Sequence, residues 1–308
     1  MEAAQKATEG FMAHVGIHSP SARTTKDMGR ILLEGVAAAH NSVIAGKPEI
    51  NDAGTTTLIG ATIFPMQESY TKGATAAPAP TEGVPESNAE PGTDFGVCIV
   101  SIGDCKCFLW DVATKRVRDI TCGNRGNITD ASDPGGRLGP YTDSGLPDTR
   151  NLQLFFTVCH TNDLLIFCSD GVHDNLDCSS LGILPGELCE DFEGMSWVQA
   201  SKEDLPLAED IKIAFYEARL GTLINSQYPK HCAYVAGKKD FVPPPFLPKD
   251  IADFMADYCM RTTFASRQFM ETHPNKKLPS DYKRFPGKMD HTTSVIVRVD
   301  NPIKKGSK

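Results

Sequence analysis

The sequence has few features of a membrane-bound or secreted protein. No apolar run approaches the roughly 20 residues that a helix needs to span a bilayer, and the N-terminus lacks the basic start and apolar centre of a signal peptide. The ten cysteines form no Cys-x-x-Cys pair, and several lie in apolar, strand-like runs, a pattern typical of free thiols in a reducing compartment. We therefore expect a cytoplasmic or nuclear protein that has no membrane partner.

Acidic residues also outnumber basic residues in this sequence. The 31 Lys and Arg residues face 39 Asp and Glu residues, which gives a formal net charge of −8. Nucleic acids and membrane surfaces are polyanionic, so this balance argues against nucleic acid as a general partner. With 308 residues, of which 40% are hydrophobic, the chain can bury a substantial core in one large domain or two small ones.

The hydrophobic pattern predicts more strands than helices. Strand-like runs are 54–64, 95–104, 105–112, 116–120, 152–158, 163–168 and 291–299, and helical runs are 2–14, 27–45, 207–226 and 248–270. Gly103-Asp104 predicts a hairpin between the second and third strands. Because the crossover pattern of a Rossmann fold is missing, we expect an α+β fold, a β-sandwich of two mainly antiparallel sheets flanked by helices.

Residues 71–94 separate the first two strands. They are rich in Ala, Pro, Gly and Glu and contain little that packs, which predicts a flexible loop. The strand pattern resumes immediately after them. The segment therefore fits an excursion between adjacent strands of one sheet better than a linker between domains.

Carboxylates recur at the ends of the apolar strands. Asp104 follows one strand, Asp170 and Asp174 follow the run LLIFC, and Asp290 precedes the last strand. A carboxylate at the mouth of a sheet is costly to desolvate unless it is hydrogen-bonded or meets a cation. Converging carboxylates without a His or Cys cluster favour Mg²⁺ or Mn²⁺ over zinc. Each acid taken alone is more simply a turn or capping residue.

Four ordered segments resemble the signature segments of metal-dependent Ser/Thr protein phosphatases of the 2C type. They are GTTTLIGATI, SIGDCKCFLW, LLIFCSDGVHD and DHTTSVIVRV. The resemblance covers about residues 30–180 and 288–300, and it implies the β-sandwich fold of that family. Residues 181–287 match only loosely and correspond to an enlarged helical insertion. The resemblance thus implies a single phosphatase-like domain over 1–308.

The same resemblance implies a function. Proteins of this family hydrolyse phosphoserine and phosphothreonine in phosphoprotein substrates, using a water activated by two Mg²⁺ or Mn²⁺ ions, and some hold a weaker third ion. Asp170 and Asp290 match ligands of the metal pair. Asp104 matches the acid associated with the third ion, and Asp174 matches another acid near it. The attacking group is the activated water, so no side chain is implied as a nucleophile.

Residues around the acids are candidates for supporting or phosphate-binding roles. Thr55 and Thr56 match the hydroxyl-bearing turn that supports the family's site, although they are equally consistent with the start of a strand. Gly171 follows Asp170 directly. Arg137, after two glycines, is a phosphate candidate if its loop forms an anion-binding nest near the metal pair, and the alternative is an ordinary surface loop.

Some positions depart from the family pattern. Cys105-Lys106 stands where Ser-Arg is usual, His173 where an aromatic residue is usual, and His291 where Asn is usual. His173 is a candidate for a missing catalytic acid, but a hydrogen-bonded supporting role is favoured. His291 is a candidate metal ligand, and here too an orienting role is favoured.

The largest departure is the lack of the family's Asp-Gly-His-Gly-Gly segment, which supplies a bridging Asp and a candidate general-acid His. The chain begins with MEAAQKATEGFMAHV, which fits the helix just after that segment. We therefore expect the first strands and half of the metal ligands to be missing. Three explanations remain open: a shortened version of an active phosphatase, which we favour, an inactive phosphatase-like regulatory or binding protein, and a chain that completes its site with another subunit.

Overall fold

The computed structural model describes residues 2–66, 94–125, 128–129, 133–235 and 247–300. Apart from its last residue, the predicted loop 71–94 lies outside the described residues. The strands are β1 (Leu58–Pro65), β2 (Asp94–Ile102), β3 (Lys106–Trp110), β4 (Val117–Asp119), β5 (Gln153–His160), β6 (Leu164–Cys168) and β7 (Ser294–Arg298). The α-helices are α1 (Glu2–His18), α2 (Thr25–Ile44), α3 (Asp170–His173), α4 (Trp197–Glu203), α5 (Leu205–Val235), α6 (Pro248–Thr262) and α7 (Phe264–Thr272).

The described strands form two antiparallel sheets. One sheet has the order β1-β2-β5, and the other has the order β4-β3-β6-β7. The strands on either side of residues 67–93 are neighbours, since β1 pairs with β2 from Leu58 to Pro65. Helices flank both sheets, so the predicted α+β class with two mainly antiparallel sheets is confirmed. None of the described helices has the length and hydropathy needed to cross a membrane.

The core is layered because strand side chains alternate between two faces. Val97 and Ile99 of β2 face the other sheet, where they pack in one cluster with Leu109 and Leu165. The alternate residues of β2 face outward and pack against α1 and α2. On the far side, α5 and α6 cover β3 and β6 through a third cluster that includes Trp110. The result is two sheets face to face with helices on both outer faces.

The predicted hairpin at Gly103-Asp104 is wrong. β2 and β3 lie in different sheets, so the chain turns a corner from one sheet to the other at these residues. Gly103 has a φ of +99°, a conformation that favours glycine. The Asn151 side chain holds the corner, because it accepts from the Gly103 N–H at 2.9 Å and donates to the Gly103 carbonyl at 3.0 Å. A distant residue therefore decides between a corner and a hairpin.

Element ends also differ from the prediction. The first strand begins at Leu58 rather than at residue 54, and Thr56 forms only an isolated bridge with Leu138. The helix predicted over 248–270 is divided at Thr263 into α6 and α7. Helix α4 was not predicted, and a capping box between Ser196 and Gln199 begins it.

Candidate functional site

The four acids lie at one end of the sandwich. Asp170 follows the end of β6, and Asp290 precedes the start of β7. Because β6 and β7 are antiparallel, with Cys168 opposite Ser294, these two segments meet at the same end of the sheet. Asp104 lies in the corner before β3, and β3 pairs with β6 along the edge opposite β7. Sheet topology thus gathers acids that are distant in sequence.

The ammonium group of Lys288 lies among three of the acids. Its Nζ is 2.6 Å from Asp170 Oδ2, 3.1 Å from Asp174 Oδ2 and 3.5 Å from Asp290 Oδ2. Burial disfavours the charged form of Lys288, but the hydrogen bond to Asp170 and the charges of Asp174 and Asp170 outweigh it and raise the pKa of Lys288. Three carboxylates therefore converge on one positive charge.

Arg125 binds the fourth acid, Asp104, and connects it to Asp174. It donates from Nη2 to Asp104 Oδ2 at 2.6 Å and from Nη1 to Asp174 Oδ1 at 2.8 Å. Burial raises the pKa of Asp174, but the nearby His173 imidazole and the charge and hydrogen bonds of Arg125 outweigh it and hold that pKa well below its usual range. Asp174 is therefore an ionised carboxylate that Arg125 and Lys288 share.

The two histidines lie in different surroundings. His173 is fully buried, and its Nε2 donates to the Asp104 carbonyl at 2.9 Å, since a carbonyl can only accept. Its Nδ1 is 3.2 Å from Asp174 Oδ1 but lacks the geometry of a hydrogen bond. The side chain of His291 is 98% exposed, with Nδ1 3.5 Å from Asp290 Oδ1. Of the two, His173 has the contacts that a supporting role needs.

Gly171 allows the two acid-bearing segments to approach each other. A Cβ at this position would lie 2.4 Å from the backbone oxygen of His291 and 3.2 Å from the Asp290 carbonyl carbon. Any larger residue would push the segment before β7 away from Asp170. Glycine is therefore required here by close backbone contact rather than by an unusual φ angle.

The other supporting candidates do not contact the acids within the described contacts. Thr55 is exposed, and Thr56 exchanges backbone hydrogen bonds with Leu138 at 3.1 and 2.7 Å. The neighbouring Thr57, which sequence reasoning missed, lies 3.3 Å from the Cys105 thiol, next to Asp104. The Arg137 guanidinium lies over the Tyr141 ring at 5.4 Å, so its proposed role in phosphate binding stays a prediction.

Sequence reasoning also missed both cations of the cluster. The sequence did contain a signal for Lys288. This lysine precedes the candidate ligand Asp290 by two residues, so its side chain lies within reach of the site. Arg125 carried no signal, since it lies in a Gly- and Asn-rich loop 21 residues from Asp104 and 49 residues from Asp174.

Cysteine chemistry does not explain the site. Cys105 lies beside Asp104, but burial raises the pKa of its thiol to about 12. A thiol with this pKa stays protonated at neutral pH and is a poor nucleophile. The nine described cysteines are all free thiols.

The chemical type of the donors suits a hard cation. Carboxylate oxygens suit Mg²⁺ and Mn²⁺, and the Lys288 ammonium already marks a position where three of them meet a positive charge. As arranged, the described residues include no group of three or more His, Cys, Asp or Glu side chains that could hold a metal ion. Lys288 takes the place where the acids converge.

An open groove with a volume of about 370 Å³ lies beside the acids. Lys288, Asp290 and His291 line it together with residues of α6 and α7, including Met260 and Arg267. Arg267 donates from Nη2 to the Met260 carbonyl at 2.5 Å, whereas its buried Nε has no partner among the described residues. The groove lining thus includes two positively charged side chains, Lys288 and Arg267, and one of the four acids, Asp290.

Solved phosphatase structures are similar to this chain. The phosphatase domain of the cell fate determinant SpoIIE from Bacillus subtilis is 13% identical, over 91% of this chain and 74% of that chain, with a TM-score of 0.30. The photosystem II phosphatase PBCP is 11% identical, over 95% and 78%, with a TM-score of 0.39. The serine/threonine phosphatase PstP/Ppp from Mycobacterium tuberculosis is 14% identical, over 70% and 79%, with a TM-score of 0.28.

All three are phosphatases, the class that the four sequence segments resemble. A scan against models of protein families and a search of curated proteins both give no match. At these identities and TM-scores, the likeness carries no argument about activity or metal content. Both are therefore argued from the residues of this chain.

Proposed function

We propose that the chain hydrolyses phosphoserine and phosphothreonine in proteins with the help of divalent metal ions. The observation that carries this proposal is the convergence of Asp170, Asp174 and Asp290 on one cation position at the end of the sandwich. The four ordered segments that resemble 2C-type phosphatases contain these acids and Asp104. The convergence of three acids on one cation and the order of the four segments both support metal-dependent phosphate hydrolysis.

The acids would hold the ions. Asp170 and Asp290 are the proposed ligands of a Mg²⁺ or Mn²⁺ pair, and Asp104 and Asp174 are assigned to a further ion nearby. When bound, such ions act as Lewis acids and activate water for attack on phosphorus. Arg125 keeps Asp104 and Asp174 side by side, and the groove next to Asp290 gives a phosphopeptide access to them.

A second candidate is a phosphatase-like regulatory or binding protein without activity. It is favoured by the ion pairs of the site, because Arg125 and Lys288 already compensate part of the acidic charge. A protein that used the groove only to bind a phosphorylated partner would have no need of a metal ion. Metal-dependent turnover distinguishes the two candidates.

The test of the proposed function is phosphate release from a phosphothreonine peptide by residues 1–308 in the presence of Mn²⁺ or Mg²⁺. We expect release that a chelator abolishes and that Asp170→Asn reduces to background, because this change removes a charged ligand. Asp210→Asn, on an exposed position of α5, is the matched control and should retain full activity. Release that is absent in the wild type, or unaffected by Asp170→Asn, would support the second candidate or an unrelated site.

We also expect Arg267 to bind the substrate phosphate. Arg267 lines the same groove as Asp290, and its guanidinium carries the positive charge and the donor geometry that suit a phosphate. Arg267→Ala should raise KM about tenfold, the equivalent of one charge-assisted hydrogen bond, and change kcat little. Arg261→Ala is the control, because its exposed side chain pairs with Asp257 instead. Equal KM values for the two variants would exclude this role.

A further inference from the structure

We propose that Lys288 is a resident cation of the acid cluster, which fills the metal position and must move out before a divalent ion can enter. The inference rests on the proposed function, since it concerns the regulation of the same site. The chain would then carry its own competitor for metal, and metal affinity would depend on one lysine.

The position of the ammonium group supports this role. Its Nζ makes close contacts with Asp170 and Asp174 and lies 3.5 Å from Asp290, so it interacts with three carboxylates at once. Carboxylates this close together repel each other unless a cation lies between them. Lys288 supplies a cation at this position, which accounts for the close approach of the three carboxylates.

The backbone of Lys288 is fixed to the site. The buried Asn175 side chain accepts from the Lys288 N–H at 3.1 Å and donates to the Lys288 carbonyl at 3.0 Å. The same amide donates to the Gly171 carbonyl at 2.8 Å, next to Asp170. The preceding Gly287 has a φ of +82°, and its N–H donates to the Ser180 carbonyl at 2.7 Å. The backbone of Lys288 is therefore held in place, and its side chain extends toward the acids.

The side chain, in contrast, has room to leave. It is 23% exposed and lines the open groove beside the cluster. A lysine is a point charge on a flexible four-carbon stem, so rotation of the stem can move the ammonium into the groove while the backbone stays in place. A fixed backbone and a movable charge are the two properties that reversible occupation requires.

Calorimetric titration of the 308-residue chain with Mn²⁺ tests the inference without reliance on turnover. We expect Lys288→Met to bind Mn²⁺ at least tenfold more tightly than the wild type, because the ion no longer displaces an ammonium group. Without metal the variant should melt at a lower temperature than the wild type, and saturating Mn²⁺ should raise its melting temperature more. Lys283→Met, which removes an exposed lysine of the same segment, should bind Mn²⁺ as the wild type does.

Equal or weaker Mn²⁺ binding by Lys288→Met would overturn the inference, as would the absence of binding in both proteins. If the Met variant does not fold, Lys288→Gln replaces it, since an amide keeps hydrogen bonds to the acids but carries no charge. Failure of the inference is distinct from failure of the proposed function. Mn²⁺-dependent turnover together with unchanged affinity in the variant leaves the phosphatase proposal intact and removes only the role of Lys288.

Discussion

Arg125→Met is expected to lower the free energy of unfolding by about 3–5 kcal/mol, the usual cost of removing one partner from a buried ion pair. The side chains of Asp104 and Asp174 are 4% and 1% exposed, and Arg125 contacts both. Methionine retains most of the apolar stem but leaves the Asp104 carboxylate without a cation among the described contacts. Urea denaturation of the variant and the wild type measures the difference.

A second substitution separates charge from packing in this experiment. Asp104→Asn in the Arg125→Met background should recover part of the loss, because the carboxylate that lost its partner becomes neutral. Arg261→Met, which breaks an exposed pair with Asp257, should change the unfolding midpoint little. If Arg125→Met is no more harmful than Arg261→Met, the buried cluster is not held together by Arg125.

Lys212→Met should cost a similar amount, again about 3–5 kcal/mol, in a separate buried network. Lys212 Nζ lies 3.0 Å from Asp177 Oδ2, 3.1 Å from Ser179 Oγ and 2.9 Å from the Ile128 carbonyl. The Tyr216 hydroxyl donates to the same carboxylate at 2.6 Å. This network attaches α5 to the segment that follows α3, so its loss weakens the support beneath the acid cluster.

The destabilisation by Lys212→Met should depend on pH. Burial raises the pKa of Asp177, but the charge of Lys212 and the hydrogen bonds of Ser179 and Tyr216 outweigh it and lower that pKa in the wild type. The stabilisation by Asp177 is thus present above the unfolded pKa and is lost as pH falls through the folded pKa. In the variant, burial is no longer opposed by Lys212, so Asp177 takes up a proton more readily.

The difference in unfolding free energy between the two proteins should therefore be largest near pH 7 and become smaller as the pH falls below about 5. Urea denaturation at both values measures it. Asp177→Asn combined with Lys212→Met should remove most of the pH dependence, since no buried carboxylate remains. A difference that stays constant from pH 7 to pH 4 would show that the lysine acts through packing alone.

Most of the fold was predictable because it follows from local patterns. Apolar and β-branched runs marked the strands, and spacings of three and four marked α2, whose buried residues include Ile31, Leu32 and Val36. The corner at Gly103-Asp104 was not predictable, since it depends on hydrogen bonds from Asn151, 48 residues away. Turn residues show where a chain bends but not which sheet it enters next.

The site was predictable only in its acids. Asp104, Asp170, Asp174 and Asp290 stand out because they recur at strand ends in the order of the four segments that resemble 2C-type phosphatases, and the structure brings all four to one end of the sandwich. The cations were missed because they come from loops, whose reach depends on tertiary structure. Whether the acids bind metal remains a prediction, as does the role of Arg137.

The position of Lys288 in the chain has a consequence for the order of synthesis. It follows Asp170 by 118 residues, and β7, the last of the described strands, holds its segment against β6. A nascent chain therefore exposes Asp170 and Asp174 to the cell before the strand that completes their surroundings has left the ribosome. The acid cluster therefore closes only after the helices of both outer layers have been made.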